Sequence, residues 1–171
     1  MAVIIAGTAG VGKTELGLRY RNVIDLESSI YSWDYSAIGA NVSIESLKGA
    51  ANRPLNKHWP MNYINAISDA LTKYDFVLVG GNLEKNFQNY IDAGFDFEIF
   101  IPTKDAIEEY EKRFIVRGNS KEWAEKVYSR YDEYLPQYMA VGKPVIILNK
   151  GETLESYIIA NSDKYPPLIS R

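Results

Sequence analysis

The sequence predicts an α/β fold, a three-layer α/β/α arrangement around a parallel sheet of five strands. Three observations predict it. Short apolar runs rich in Val, Ile and Phe recur along the 171 residues, helix-like stretches separate them, and a glycine-rich turn joins the first run to the first helix. Continuous apolar strands alternating with helices pair in parallel, because helices then cover both faces of the sheet.

The elements follow in order. "VIIA" (3–6) is the first strand. The opening "MAVIIAGTAG" has no basic segment, and its apolar run ends after Ala6, so it reads as a buried strand rather than an export signal. A helix starts near Lys13 and runs to about Tyr20, followed by the strand "NVIDL" (22–26). Residues 31–62 lack clear periodicity over most of their length and carry Trp33, Tyr35 and Trp59; they read as an insert covering an acceptor. In "PMNYINAISDALTKY" (60–74), Ile64, Ile67 and Leu71 recur at helical spacing. "FVLVG" (76–80) is the third strand and ends in the turn Gly80-Gly81-Asn82. "FEIFI" (97–101) is the fourth. Two helices then form a lid region over about 103–135: one over 103–119, capped by Thr103 and closed by Gly118, and one over 120–140. In the second, Trp123, Val127, Tyr131 and Leu135 share a face. "PVIILN" (144–149) is the last strand. Residues 1–171 thus read as one domain.

Composition narrows the function. The net charge of −3 gives no broad electrostatic case for nucleic acid. No apolar run approaches the length of a membrane span. The absence of cysteine removes thiolate metal sites and cysteine nucleophiles, and the single His58 argues against a Ser-His-Asp hydrolase. These features fit a cytoplasmic protein and leave its oligomeric state open.

The glycine-rich turn is Gly7-Thr8-Ala9-Gly10-Val11-Gly12-Lys13-Thr14, which fits G-x-x-x-x-G-K-[ST] at every fixed position. A strand before it and a helix after it are the context of a P-loop. The glycines let the backbone turn several N–H groups toward one anion, and the helix start adds its dipole. Gly7, Ala9, Gly10, Val11, Gly12, Lys13 and Thr14 are therefore the expected ATP-binding residues. Lys13 supplies a cation for the β- and γ-phosphates, and the Thr14 hydroxyl is a ligand for Mg²⁺.

The second strand runs into "IDLESS", which puts Asp25, Glu27 and Ser28 at the carboxyl end of a parallel strand, where ligands bind. One carboxylate can serve the metal and the other the acceptor; the competing reading is a solvated strand end with a helix cap from Ser28 or Ser29. Asp25 joins Thr14 as a metal candidate, and the division of roles between Asp25 and Glu27 stays open. The third strand ends in Gly80-Gly81-Asn82, without the acid a motor ATPase places there for metal and water. A glycine pair there lets a substrate approach the backbone, so Gly81 and Asn82 join Ser28 and Trp33 as acceptor-binding candidates; a plain tight turn is the alternative. Arg113 and Arg117 share a helix face, and Arg130 lies on the next helix. Arginines on a lid can neutralise a transferred phosphoryl group, so Lys13, Asp25, Glu27, Arg113, Arg117 and Arg130 are the catalytic candidates. Surface pairing with Glu109 or Glu111 is the other reading of the arginines.

"GTAGVGKT", "NVIDLESS", "WPMNYINAI", an apolar strand after "YD", and "RFIVRGNS" followed by a Trp-bearing helix together resemble small phage-type nucleoside monophosphate kinases of the adenylate kinase-like P-loop group. The resemblance spans most of the chain, and the P-loop is its specific part. It implies a P-loop NTPase fold, ATP and Mg²⁺ at Gly10, Gly12, Lys13 and Thr14, an acceptor near Asp25, Glu27 and Ser28, and lid arginines at Arg113 and Arg117. It implies transfer of the γ-phosphoryl of ATP to a (deoxy)nucleoside monophosphate, in a host cytoplasm if the protein is phage-encoded. The "VGG" ending is similar instead to shikimate kinase-like enzymes, which keeps a shikimate- or gluconate-type acceptor open. A P-loop ATPase or nucleotide-binding accessory protein is the rival of another class.

Overall fold

A computed structural model of the protein describes residues 2–36 and 53–171. Residues 37–52 of the expected acceptor-covering insert lie outside that range. The element order is β1 (Val3–Gly7), α1 (Lys13–Arg19), β2 (Val23–Leu26), α2 (Ser28–Ser32), α3 (Met61–Leu71), β3 (Phe76–Gly80), α4 (Phe87–Asp92), β4 (Glu98–Pro102), α5 (Ile107–Val116), α6 (Lys121–Val127), α7 (Tyr131–Met139), β5 (Val145–Leu148) and α8 (Leu154–Ala160). The five strands are parallel, in the order β2-β3-β1-β4-β5. The turn after β1 therefore emerges between the ends of β3 and β4, with Gly7 opposite both Gly80 and Phe100.

Period-two alternation builds the three layers. Ile5, Leu78 and Phe100 point to one face, where they meet Leu16, Tyr110, Phe114, Leu154 and Ile158. Ile4, Ala6, Val77, Val79, Ile99 and Ile101 point to the other, against Tyr63, Ile67, Phe87 and Tyr90. β1, β3 and β4 are buried on both faces almost throughout, which explains why these three strands read as nearly continuous apolar runs. Among the described residues, no helix is long and apolar enough to cross a membrane.

The expected helix over 120–140 is two helices. Ala124 of α6 joins the first core, with Trp123 and Val127 packed against it, whereas Leu135 and Tyr138 of α7 pack against the second. One straight helix cannot serve both faces of a sheet, so the chain turns at Tyr128–Arg130 and crosses the carboxyl end of the sheet. The helix expected from Thr103 is likewise preceded by a single 3₁₀ turn, Lys104–Ala106, and the Thr103 hydroxyl bonds Asp105 rather than capping backbone amides. Gly118 does close α5, with φ of 92°.

Burial pushes the Tyr138 hydroxyl up to about 12 and raises those of Tyr63 and Tyr90 as well. An unfolded tyrosine ionises near 10. As pH rises past that value the unfolded chain loses protons that the folded chain keeps, so stability falls from about pH 10 upward. Urea midpoints should stay level to about pH 10 and decline steadily to about pH 12; a level midpoint through that window would contradict the buried hydroxyls.

Candidate active site

The turn after β1 wraps tightly because two of its glycines take conformations closed to other residues: φ is 87° at Gly10 and 106° at Gly12. Gly10 also lies under α5, where a Cβ would meet the rings of Phe114 and Tyr110 at 3.0 Å. Lys13 Nζ donates to the carbonyls of Gly7 at 2.7 Å and Thr8 at 3.3 Å, folding its ammonium back over the turn. Val11 is completely buried and anchors the loop to the first core.

Thr14 Oγ1 donates to Asp25 Oδ2 at 2.9 Å. This meeting depends on Gly17: a Cβ there would press on Asp25 Cβ at 3.3 Å, so glycine lets α1 lie close to β2. Hydroxyl and carboxylate side by side are hard oxygen donors, which fits Mg²⁺ held mainly by phosphates and water. Asp25→Asn should raise the Mg²⁺ concentration giving half-maximal nucleotide binding by about tenfold or more, from the loss of one charge-assisted contact; an unchanged Mg²⁺ titration would remove Asp25 from the metal.

Among the described residues, two cavities border the turn. The first, about 400 Å³, is lined by Gly7, Ala9, Lys13, Glu27, Ser28, Trp33, Arg53, Gly81, Asn82 and Lys85, and by a wall from α6 and α7. The second, about 530 Å³, is lined by Ala9, Gly10, Gly12, Lys13, Thr14, Asp25, Glu27 and Arg117. Ala9, Lys13, Glu27 and Trp123 belong to both, so the cavities meet at the P-loop lysine. Glu27 also caps α2, accepting from Ser29 N at 3.4 Å, the place the sequence offered to Ser28 or Ser29.

The wall of the first cavity is aromatic: Trp123, Tyr128, Tyr131, Tyr134 and Tyr138. Its hydroxyls are spent on the protein. Tyr128 donates to Ala9 O at 2.5 Å, Tyr131 to Pro102 O at 2.8 Å, Tyr138 to Gly81 O at 2.9 Å and Tyr134 to Glu84 at 3.0 Å. The wall therefore offers rings rather than polar groups. Positive charge in this cavity comes from Arg53 and Lys85, whose cationic groups lie 4.6 Å and 5.0 Å from the centre of the Trp33 ring. Arg53 Nε and Nη1 are buried without a hydrogen-bond partner among the described residues.

The expected site residues are distributed unevenly. The P-loop residues, Asp25, Glu27, Ser28, Trp33, Gly81 and Asn82 come together. Arg117 reaches the second cavity. Arg113 pairs with Glu109 and donates to Gly10 O at 3.4 Å, so it contacts the outside of the loop. Arg130 lines neither cavity; it pairs with Glu133 and Tyr134 on the exposed turn between α6 and α7. The glycine pair serves packing first: a Cβ on Gly81 would lie 2.6 Å from Gly7 C, and one on Gly80 would lie 2.6 Å from Ser28 Oγ. Asn82 Oδ1 accepts from the amides of Glu84 and Lys85 at 3.1 Å, which shapes the turn carrying Lys85. Arg53, Lys85 and Tyr128 were not legible as site residues. Arg53 lies in a segment without periodicity and reaches the cavity where Leu55 bridges Trp33.

No protein family matches the chain, and no curated protein is significantly similar to it in sequence. Among solved structures, the chain is similar to the tunicamycin resistance protein of Deinococcus radiodurans, with a TM-score of 0.55, 11% identity, and 99% of each chain covered. At that identity the likeness speaks for the fold. That fold is a five-stranded parallel α/β sheet with the glycine-rich turn after its first strand, consistent with a P-loop NTPase-like fold.

Proposed function

We propose that the protein transfers the γ-phosphoryl group of ATP to a (deoxy)nucleoside monophosphate. The observation that carries this reading is the pair of cavities meeting at Lys13. A nucleotide switch or ATPase needs one nucleotide site and a water; a phosphotransferase needs two ligand sites that share the transferred group. The P-loop side takes ATP, with Gly10, Gly12 and Lys13 on its phosphates and Thr14 and Asp25 on Mg²⁺. Bound there, Mg²⁺ supplies charge neutralisation on the phosphate oxygens.

The first cavity takes the acceptor. Its aromatic wall, with every hydroxyl already used, suits a flat base better than a polyol such as gluconate. Lys85 and Arg53 give it the charge for a phosphate. An oxygen of that phosphate attacks the γ-phosphorus, and the bond from the γ-phosphorus to the bridging oxygen of ADP breaks. The products are ADP and a nucleoside diphosphate. Lys13 moves with the group in transit and stabilises its charge. A phosphate nucleophile needs no strong base, so Glu27 orients the acceptor at the junction.

The test is ADP release from ATP and Mg²⁺ with each common ribo- and deoxynucleoside monophosphate, and with shikimate and gluconate. ADP release that requires one nucleoside monophosphate is expected. Release indifferent to every acceptor would replace this reading with an ATPase, and release with shikimate or gluconate would move it to a small-alcohol kinase. Arg53→Ala and Lys85→Ala should each raise the acceptor KM by about ten- to a hundredfold, the loss of one charge-assisted contact, while the KM for ATP stays level. Equal effects on both substrates would take the two cations off the acceptor.

A further inference from the structure

Three consecutive carbonyls of the P-loop are held by three different elements. Ala9 O accepts from Tyr128 Oη at 2.5 Å, Gly10 O from Arg113 Nη1 at 3.4 Å, and Val11 O from the amide of Leu154 at 3.0 Å. The donors come from the α6–α7 turn, from α5 and from the start of α8. In a planar trans peptide the C=O and the following N–H point in opposite directions. Drawing these carbonyls toward the surrounding helices therefore turns the amides of Gly10, Val11 and Gly12 away from them. The backbone supports the same arrangement, since Gly10 and Gly12 have positive φ and Val11 between them does not. Alternation of that kind forms a concave nest of N–H groups that takes an anion. Among the described residues, none of these three amides has an acceptor.

We infer that Tyr128 is a positioning residue for the phosphate cradle: its hydroxyl sets the orientation of the Ala9–Gly10 peptide and thereby the affinity of the P-loop for phosphate. Resting on the ATP-site reading above, this deepens it by assigning part of the loop's geometry to a residue more than a hundred positions away in sequence. Tyr128 is suited to that role. Its ring is fixed by stacking on Phe114, at 6.3 Å and 16°, and edge-on against Tyr110 at 6.0 Å. With its one proton on Ala9 O, its oxygen can accept from Thr8 Oγ1 at 2.9 Å, so it contacts two successive residues of the turn. Tyr128 touches no phosphate in this assignment; the backbone amides do. Arg113 does the same for the next peptide from α5, at longer range.

The test is Tyr128→Phe, which keeps the ring and removes only the hydroxyl. Calorimetric titration with ADP, and with inorganic tripolyphosphate as a probe that lacks base and sugar, is run without acceptor, alongside a melting curve. Both dissociation constants should rise by about fivefold, the loss of one neutral hydrogen bond, and by the same factor. Wild-type affinity for tripolyphosphate in Tyr128→Phe would overturn the inference, and so would a lower melting temperature with unchanged affinity, which marks a purely structural hydroxyl. An ADP loss without a tripolyphosphate loss would overturn it as well, placing Tyr128 on the base. If the wild-type protein binds neither ligand, the ATP-site reading falls along with it. Binding by the wild type with no change in the variant removes the inference alone.

Discussion

Replacing Lys13 with methionine is expected to lower phosphoryl transfer by about a hundred- to a thousandfold, the usual loss when one preorganised electrostatic contact to a reacting group is removed. Methionine nearly matches the stem of lysine, so the fold is spared and the charge alone is lost. The Lys13 ammonium is held by Gly7 O and Thr8 O and borders both cavities, the position from which it would act in the proposed transfer. Nucleotide affinity should fall much less than turnover, because the amides of the loop remain. Single-turnover rates at saturating ATP separate the two effects. A rate within about threefold of wild type would take Lys13 out of the transfer step.

Gly81→Ala is expected to be the most damaging change outside the P-loop itself. The added methyl would lie 2.6 Å from Gly7 C, 2.7 Å from Thr8 N and 2.9 Å from Gly7 O, all backbone atoms that cannot rotate away. Gly81 N also donates to Gly7 O at 3.0 Å, so the two segments cannot separate without losing that bond. The strain should cost about 2–4 kcal/mol, which lowers the melting temperature on the order of 10 °C in a domain of this size. The part that is not expressed as instability should distort the P-loop and weaken ATP binding. Gly94→Ala is the comparison. Gly94 has φ of 73° and open space around the new methyl, so it carries backbone strain only, about 1–2 kcal/mol. Equal melting temperatures for the two variants would show that the contact with Gly7 and Thr8 is not under steric pressure.

The strands and the glycine-rich turn were legible because both depend on local chemistry. Short, largely apolar runs bounded by turn residues fit strands covered on two faces, and all five expected runs are strands within one residue or so of the expected ends. The turn was legible because few sequences satisfy four fixed positions in a strand-turn-helix context. The helices of the second half were less so. Trp123, Val127, Tyr131 and Leu135 keep helical spacing across Tyr128–Arg130, yet the chain turns there because its two halves face different cores. Periodicity records that a face is apolar, and it does not record which core that face meets.

The sequence by itself determined the sheet, the glycine-rich turn after its first strand, and the carboxylates Asp25 and Glu27 at the end of the second, because each is written in contiguous residues. Only the tertiary structure decided which distant side chains reach that turn. It brought Arg53 and Lys85 onto one indole ring, set Tyr128 on the Ala9 carbonyl, left Arg130 on the surface, and made Gly81 a packing necessity. The physical reason is that these roles depend on the strand order and on where helices cross the sheet, and both are settled by the joint burial of two cores rather than by any local stretch of the chain.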